Sequence, residues 1–164
     1  MISLKKPMQD IIPGETPGRD CFGCGADNPH GLHLKSYMEG DIAVSRFTPE
    51  PYHIAFPGIV NGGIIATIID CHGIWASIGY YILHYKPEVI DRPNVMYVTR
   101  KLTIEYLKPT PMGELALRGW VTKECGRSST AQVELFSKDQ LCACGEVVGV
   151  RLPTFDLMSN FKIG

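Results

Sequence analysis

Residues 61–85 read NGGIIATIIDCHGIWASIGYYILHY, and this stretch decides the fold. Ile64, Ile68, Cys71, Trp75, Ile78 and Ile82 recur at helical spacing and form a core stripe. Gly63, Ala66, Thr67, Asp70, Gly73 and Ser77 form a second stripe, of small residues around one acid, which lets another backbone or a ligand come close. Asn61 is an N-cap type whose side-chain oxygen accepts from an early helix amide. Lys86-Pro87 stops the run. The spacing therefore predicts one long helix from about Gly62 to about Tyr85. From Ile64 to Leu83 only Asp70 and His72 are strongly polar. That length suffices to cross a bilayer. An Asp near the middle would cost ~2.5–3.5 kcal/mol on insertion, however. A helix apolar almost all round is also what a wrapping sheet buries.

The flanking sequence supplies such a sheet. Leu32–Glu39 and Asp41–Thr48, split by Gly40, read as a hairpin. Beyond the helix come Asn94–Lys108, Glu114–Glu124, Ser128–Ser137 and Leu141–Val150, separated by short turns at Pro109–Gly113, Cys125-Gly126 and the polar stretch after Ser137. In the first of these Leu102, Ile104 and Tyr106 alternate with Thr103, Glu105 and Leu107, a half-buried pattern. Successive strands joined by short turns make an antiparallel sheet. The expected class is α+β, a long central helix wrapped by about five or six antiparallel strands.

A chain of 164 residues, 45% hydrophobic and 20% charged, suits one folded domain. We place an irregular, Pro- and Gly-rich arm at residues 1–20, the domain at 21–152 and a tail at 153–164. A net charge of -1 gives no electrostatic footprint for nucleic acid or an anionic membrane. The start, MISLKKPMQD, lacks the apolar run and cleavage site of a secretory signal. A cytoplasmic, reducing compartment is expected, and with it thiols rather than disulfides among the six cysteines.

Three motifs in order resemble the hotdog-fold thioesterase superfamily, in its phenylacetyl-CoA-thioesterase-like branch. Pro57-Gly58-Ile59-Val60-Asn61-Gly62-Gly63 matches the family's His-Gly-Gly entry to the helix, and Asp70 stands seven residues after the second Gly, at the family's catalytic Asp. Thr99 precedes Pro109 by ten residues, as the family's Ser or Thr does. Cys21-Phe22-Gly23-Cys24-Gly25, then Asn28-Pro29 and Gly31-Leu32, is similar to a prefix of many members. The resemblance covers about residues 21–150. It departs at Asn61, where the family usually has His, and at Ala55, where many members carry Asn. It implies a hotdog fold, acyl-CoA hydrolysis without a cofactor, and a homodimer or dimer of dimers.

The residues themselves fit that chemistry. Thioester hydrolysis needs an activated water or nucleophile and donors for a developing oxyanion. Asp70, in an apolar helix, has the desolvation that raises a carboxylate pKa toward general-base use. Gly62, at the first helical position, has an N–H without an intrahelical partner at the positive helix end. The resemblance gives that amide the oxyanion. Thr99 is placed to orient water, Asn61 is counted with the catalytic group although a pure N-cap is the simpler role, and Gly63, Arg127 and Ser128 are expected to meet substrate. His72, two residues from Asp70, points to another face and is expected to be a satisfied or partly exposed histidine rather than a partner of Asp70. Cys21-x-x-Cys24 and Cys142-x-Cys144 offer four thiolates, the latter pair on one side of a strand. That second spacing is one residue short of the usual pair, so no metal is expected. The alternative in a different class is a non-catalytic acyl-CoA or acyl-group binding protein. A hotdog hydratase is disfavoured because its Asp/His pair is not visible.

Overall fold

A computed structural model describes residues 6–14, 16–90 and 94–153. In chain order the elements are α1 (Met8–Ile11), β1 (Lys35–Glu39), β2 (Ile42–Phe47), β3 (Ile54–Phe56), β4 (Ile59–Val60), α2 (Gly62–Tyr85), β5 (Tyr97–Tyr106), β6 (Leu115–Cys125), β7 (Ser128–Ser137) and β8 (Gln140–Arg151). Six strands form one sheet in the order β1-β2-β6-β7-β8-β5, and every neighbouring pair is antiparallel. The predicted α+β arrangement is the observed one.

The long helix starts where its capping chemistry says. Asn61 Oδ1 accepts from the Gly63 amide at 2.7 Å. The last turn closes with Lys86 N–H on the Ile82 carbonyl at 3.0 Å, and Pro87 then lacks the donor to continue. All six strands of the sheet touch α2. Ile65, Ile68, Ile69, Trp75, Ile78 and Ile82 are buried against them. The helix is long and apolar enough to cross a membrane by length and composition. Here its apolar surface is spent on the sheet. Burial of such side chains contributes about 1.5–3 kcal/mol each.

The small-residue stripe has two uses. Gly73 and Ser77 are buried and sit against the sheet, while Gly63, Ala66, Thr67 and Asp70 are partly open. At Gly73 an added Cβ would overlap Val147. The helix therefore lies nearly on the sheet backbone there. His72 is fully buried, as expected of a satisfied histidine. Its Nδ1 pairs with Ser36 Oγ at 2.9 Å and its Nε2 with the Ala43 carbonyl at 3.1 Å. Burial holds its pKa down, at about 4, so the imidazole stays neutral.

Several expectations are corrected. The N-terminal arm is not irregular throughout. Met8–Ile11 makes one helical turn, Met8 and Ile12 are buried, and Gln9 Oε1 accepts from the Ser36 amide at 2.9 Å. A small hairpin, β3 with β4, occupies the Pro-rich stretch before α2, where the sequence pattern predicts no strand. The proposed tail, 153–164, lies outside the described residues except for Pro153.

The half-buried pattern expected of β5 is not met within one chain. Val98 is 40%, Leu102 36% and Tyr106 54% exposed. β5 is an edge strand, and only Tyr97 at its start is buried.

Packing at Gly73 is testable. Gly73→Val puts a branched side chain into Val147 and Val133, and overpacking of this kind costs about 1–3 kcal/mol. Denaturant unfolding should show a loss in that range. Wild-type stability in the variant would mean that α2 does not lie this close to β7 and β8.

Candidate active site

Asp70 lies in the third turn of α2, on the side of the helix that faces β5. Thr99 Oγ1 donates to Asp70 Oδ1 at 2.6 Å. The other carboxylate oxygen, Oδ2, has no partner among the described residues. Burial pushes the Asp70 carboxyl above the ordinary carboxylate value. The Thr99 bond opposes that shift, and the negative charge of nearby Cys21 adds to it. The result is a carboxylate fixed by one oxygen and open at the other, the arrangement a general base or nucleophile needs.

Thr99 reaches Asp70 because of a local irregularity in β5. Thr99 opposes Gly149, but Lys101 opposes Val148, so Arg100 is an extra residue. This β-bulge switches which residues face the helix. Before it, Tyr97 and Thr99 are on the helix side. After it, Leu102, Ile104 and Tyr106 are, opposite the buried Val147, Gly145 and Ala143. Strict alternation would set Thr99 on the face opposite to Leu102. The bulge places both beside α2.

At the helix start, the Asn61 side chain takes the Gly63 amide, so Asn61 is a cap in the structure. The Gly62 amide has no acceptor among the described residues. Tyr106 Oη donates to the Gly62 carbonyl at 2.8 Å, and its ring packs 3.5 Å from where a Gly62 Cβ would stand. Thr67 Oγ1 returns to the Gly63 carbonyl at 2.9 Å. Tyr106 was not singled out in the sequence. Its parity with Leu102 and Ile104 carried the signal that it faces the helix. Between the helix start and Asp70 the open side chains are small on α2 and apolar on β5, and together they make a shallow seam. The wider clefts run along Leu107–Glu114 with Lys138–Leu141, and along β1 and β2, and neither includes Asp70. Asp70 itself is partly buried.

Arg127 and Ser128 sit in and after the tight turn joining β6 and β7. Arg127 is exposed, with its carbonyl taken by the Arg151 amide at 2.7 Å. Ser128 opposes Val150, which opposes Val98. Two strand spacings, about 10 Å, thus separate this turn from the strand that carries Thr99.

The four-thiolate grouping of the two cysteine pairs is not formed. A bulge places Cys142 as the unpaired residue between Leu141 and Ala143, so it does not share the outward face of Cys144. Cys142 Sγ instead meets the Gln140 carbonyl at 3.4 Å. Cys21 and Cys24 gather with Cys71, the residue after Asp70, whose burial had been read as core packing alone. Hydrogen bonds from Cys24 and Cys71 hold the Cys21 thiol far below its usual pKa, and the same contacts push Cys71 up.

Residues 57–144 match the family model described as Thioesterase superfamily. A thioesterase superfamily protein from Shewanella loihica has a similar structure, at 37% identity and TM-score 0.58, over 78% of this chain and 98% of that one. The PaaI protein of the Escherichia coli phenylacetic acid degradation operon aligns at 16% identity and TM-score 0.61, over 74% of this chain and 81% of that one. A thioesterase from Haemophilus influenzae aligns at 13% identity and TM-score 0.62, over 76% and 81% respectively. No curated protein matches the sequence. The two distant structures show the hotdog fold, while the family model and the Shewanella relative show more: the chain belongs to the thioesterase superfamily and is a thioester hydrolase.

Proposed function

We propose that this protein is a cytoplasmic acyl-CoA thioesterase whose active sites form between two chains. Asp70 serves as general base or nucleophile, the Gly62 amide as oxyanion donor and Thr99 as the group that fixes the carboxylate. The carrying observation is the 2.6 Å bond from Thr99 to a partly buried Asp70 at the seam of α2 and β5. As a base, Asp70 removes a proton from water through Oδ2. The water oxygen bonds the thioester carbon, and the carbonyl electrons move to an oxyanion. Collapse of that intermediate breaks the C–S bond, giving the acid and coenzyme A, whose thiolate takes up a proton. The exposed Leu102 and Tyr106 are suited to the acyl part, and Arg127 and Ser128 to the coenzyme A end. Binding without turnover across a panel of acyl-CoA thioesters would instead favour the non-catalytic binding protein.

Distance argues for two chains. Seven residues separate Gly63 from Asp70, about 10 Å at ~1.5 Å per residue. A reacting carbonyl must lie within ~3 Å of both the donor and the base. One chain's helix start and its own Asp70 are too far apart for one thioester. A second chain across the open seam brings its Gly62 to the first chain's Asp70, and two-fold symmetry makes two such sites. The unpaired edge of β5 and its exposed Leu102 and Tyr106 supply an apolar surface for this contact. Two such dimers can associate further into a tetramer.

Asp70→Asn should lower kcat by ~10²–10⁴-fold on a good substrate, with folding retained. Wild-type kcat in that variant would remove Asp70 from the chemistry. Thr99→Ala should lose less, about 10–100-fold, the worth of one hydrogen bond to a charged group. If it turned over as fast as the parent protein, the bond would be structural only.

Shared sites make a sharper demand. Asp70→Asn and Gly62→Pro should each be inactive, the second because proline has no amide donor. Once both are shown to be folded, dimeric and exchanging subunits, mixing should restore about a quarter of wild-type sites, since one site of each heterodimer carries both lesions and the other neither. No recovery would mean that Asp70 and Gly62 act within one chain, or that one of them does not act.

A further inference from the structure

The geometry points to a thiophilic divalent-cation site of the Zn²⁺ class formed by Cys21, Cys24 and Cys71, which fastens the N-terminal segment to α2 beside Asp70. This departs from the expectation, drawn from sequence spacing, that no metal is bound. It does not rest on the catalytic reading.

Three observations carry it. The first is the arrangement of sulfurs. All three Sγ atoms lie within 4.8 Å of one another, and Cys21 Sγ is 3.8 Å from Cys71 Sγ. A tetrahedral centre with Zn–S of about 2.3 Å has S···S edges of about 3.8 Å. The second is the backbone around Cys21. The Gly25 amide closes the turn on the Cys21 carbonyl at 2.8 Å. A Cβ at Gly25 would overlap the Arg19 and Cys21 backbone, and one at Gly23 would overlap Cys71 Sγ. This is a tight Cys-x-x-Cys-Gly turn pressed against a third thiol from the helix. The third is the donor to Cys24. Trp75 Nε1, one turn beyond Cys71, donates to Cys24 Sγ at 3.2 Å in a buried setting. An N–H donor to a ligand atom of this kind orients the ligand and tunes its basicity toward a metal.

The ligands come from two places in the chain, residues 21–24 and residue 71. The segment that follows the knuckle is tied back to it, with Leu32 N–H on the Phe22 carbonyl at 2.7 Å and Leu34 N–H on the Gly23 carbonyl at 3.0 Å. A cation at the three sulfurs would thus bind Cys21–Leu34 to the turn of α2 that carries Asp70. Binding releases to solvent the protons of those thiols still protonated. Three protein ligands leave one tetrahedral position for water. Among the described residues no fourth His, Cys, Asp or Glu joins the group.

The test uses the full chain, reduced, stripped with chelator and titrated anaerobically with Co²⁺. We expect a thiolate-to-cobalt charge-transfer band that saturates at one equivalent per chain and is displaced by Zn²⁺. Cys125→Ser and Cys144→Ser, outside the cluster, should keep the band. Cys71→Ser should weaken Zn²⁺ binding by more than about 100-fold, beyond the 10–100-fold typical of a lost second-shell partner, and Trp75→Phe should fall within that lower range. Should Cys71→Ser fail to fold, native mass spectrometry of wild-type protein gives the same reading: one zinc per chain supports the site. A wild-type chain that takes up no stoichiometric Co²⁺ or Zn²⁺, or a folded Cys71→Ser chain that keeps the cobalt band, overturns it.

Discussion

Everything in this molecule follows from the need to cover one 24-residue helix that is apolar almost all round. Left in water, α2 would expose isoleucines on every side. A sheet of six strands removes most of that surface, and each strand touches the helix. The contact is close because glycines on both partners remove the Cβ atoms that would hold them apart, as at Gly73 and Gly145. The coverage stops short at the first turns of α2. There the stripe of Gly63, Ala66, Thr67 and Asp70 stays partly open, and the carboxylate we propose as catalytic lies in that gap.

The gap also sets the electrostatics. Asp70 is buried enough to raise its pKa, yet open enough for an oxygen to reach water. A carboxylate deeper in the helix would stay protonated and useless as a base. One on the outer face would keep an ordinary pKa and leave the substrate wet. Thr99 settles the orientation from the opposite wall. Behind this pair, neutral His72 joins Ser36 and the Ala43 carbonyl, so the helix turn carrying Asp70 is held from the far side by a satisfied polar contact.

Much of this was readable in the sequence. The helix has the bounds its periodicity and caps require, because Asn61, Gly62 and Lys86-Pro87 are local signals that tertiary packing does not override. Asp70 stood out as the one acid in an apolar run. The Thr99 partnership was not readable by alternation, since it depends on the extra residue at Arg100, and one-residue bulges leave no mark in a hydrophobic pattern. Cys71 was hidden for a different reason. A buried Cys on a core stripe looks like any small apolar residue, and its partners lie 50 residues away at Cys21 and 47 away at Cys24. Cys142 and Cys144 misled in the opposite direction, because a second bulge breaks the shared face that their spacing suggests. The short helix at Met8–Ile11 was missed because four residues give no periodicity to detect.

The outer edge of β5 has a further meaning. Ten residues of strand with one side unpaired offer a row of amide donors and carbonyl acceptors to any extended peptide nearby. Charges at Arg100, Lys101, Glu105 and Lys108 stud the strand and the residues just beyond it, and the bulge kinks its line. These are the devices by which soluble proteins discourage indiscriminate strand addition. The same strand carries Thr99, so the residue bonded to Asp70 sits on an edge open to mispairing. Aggregation that starts along this edge would therefore disturb the Thr99–Asp70 contact before it unfolds the core.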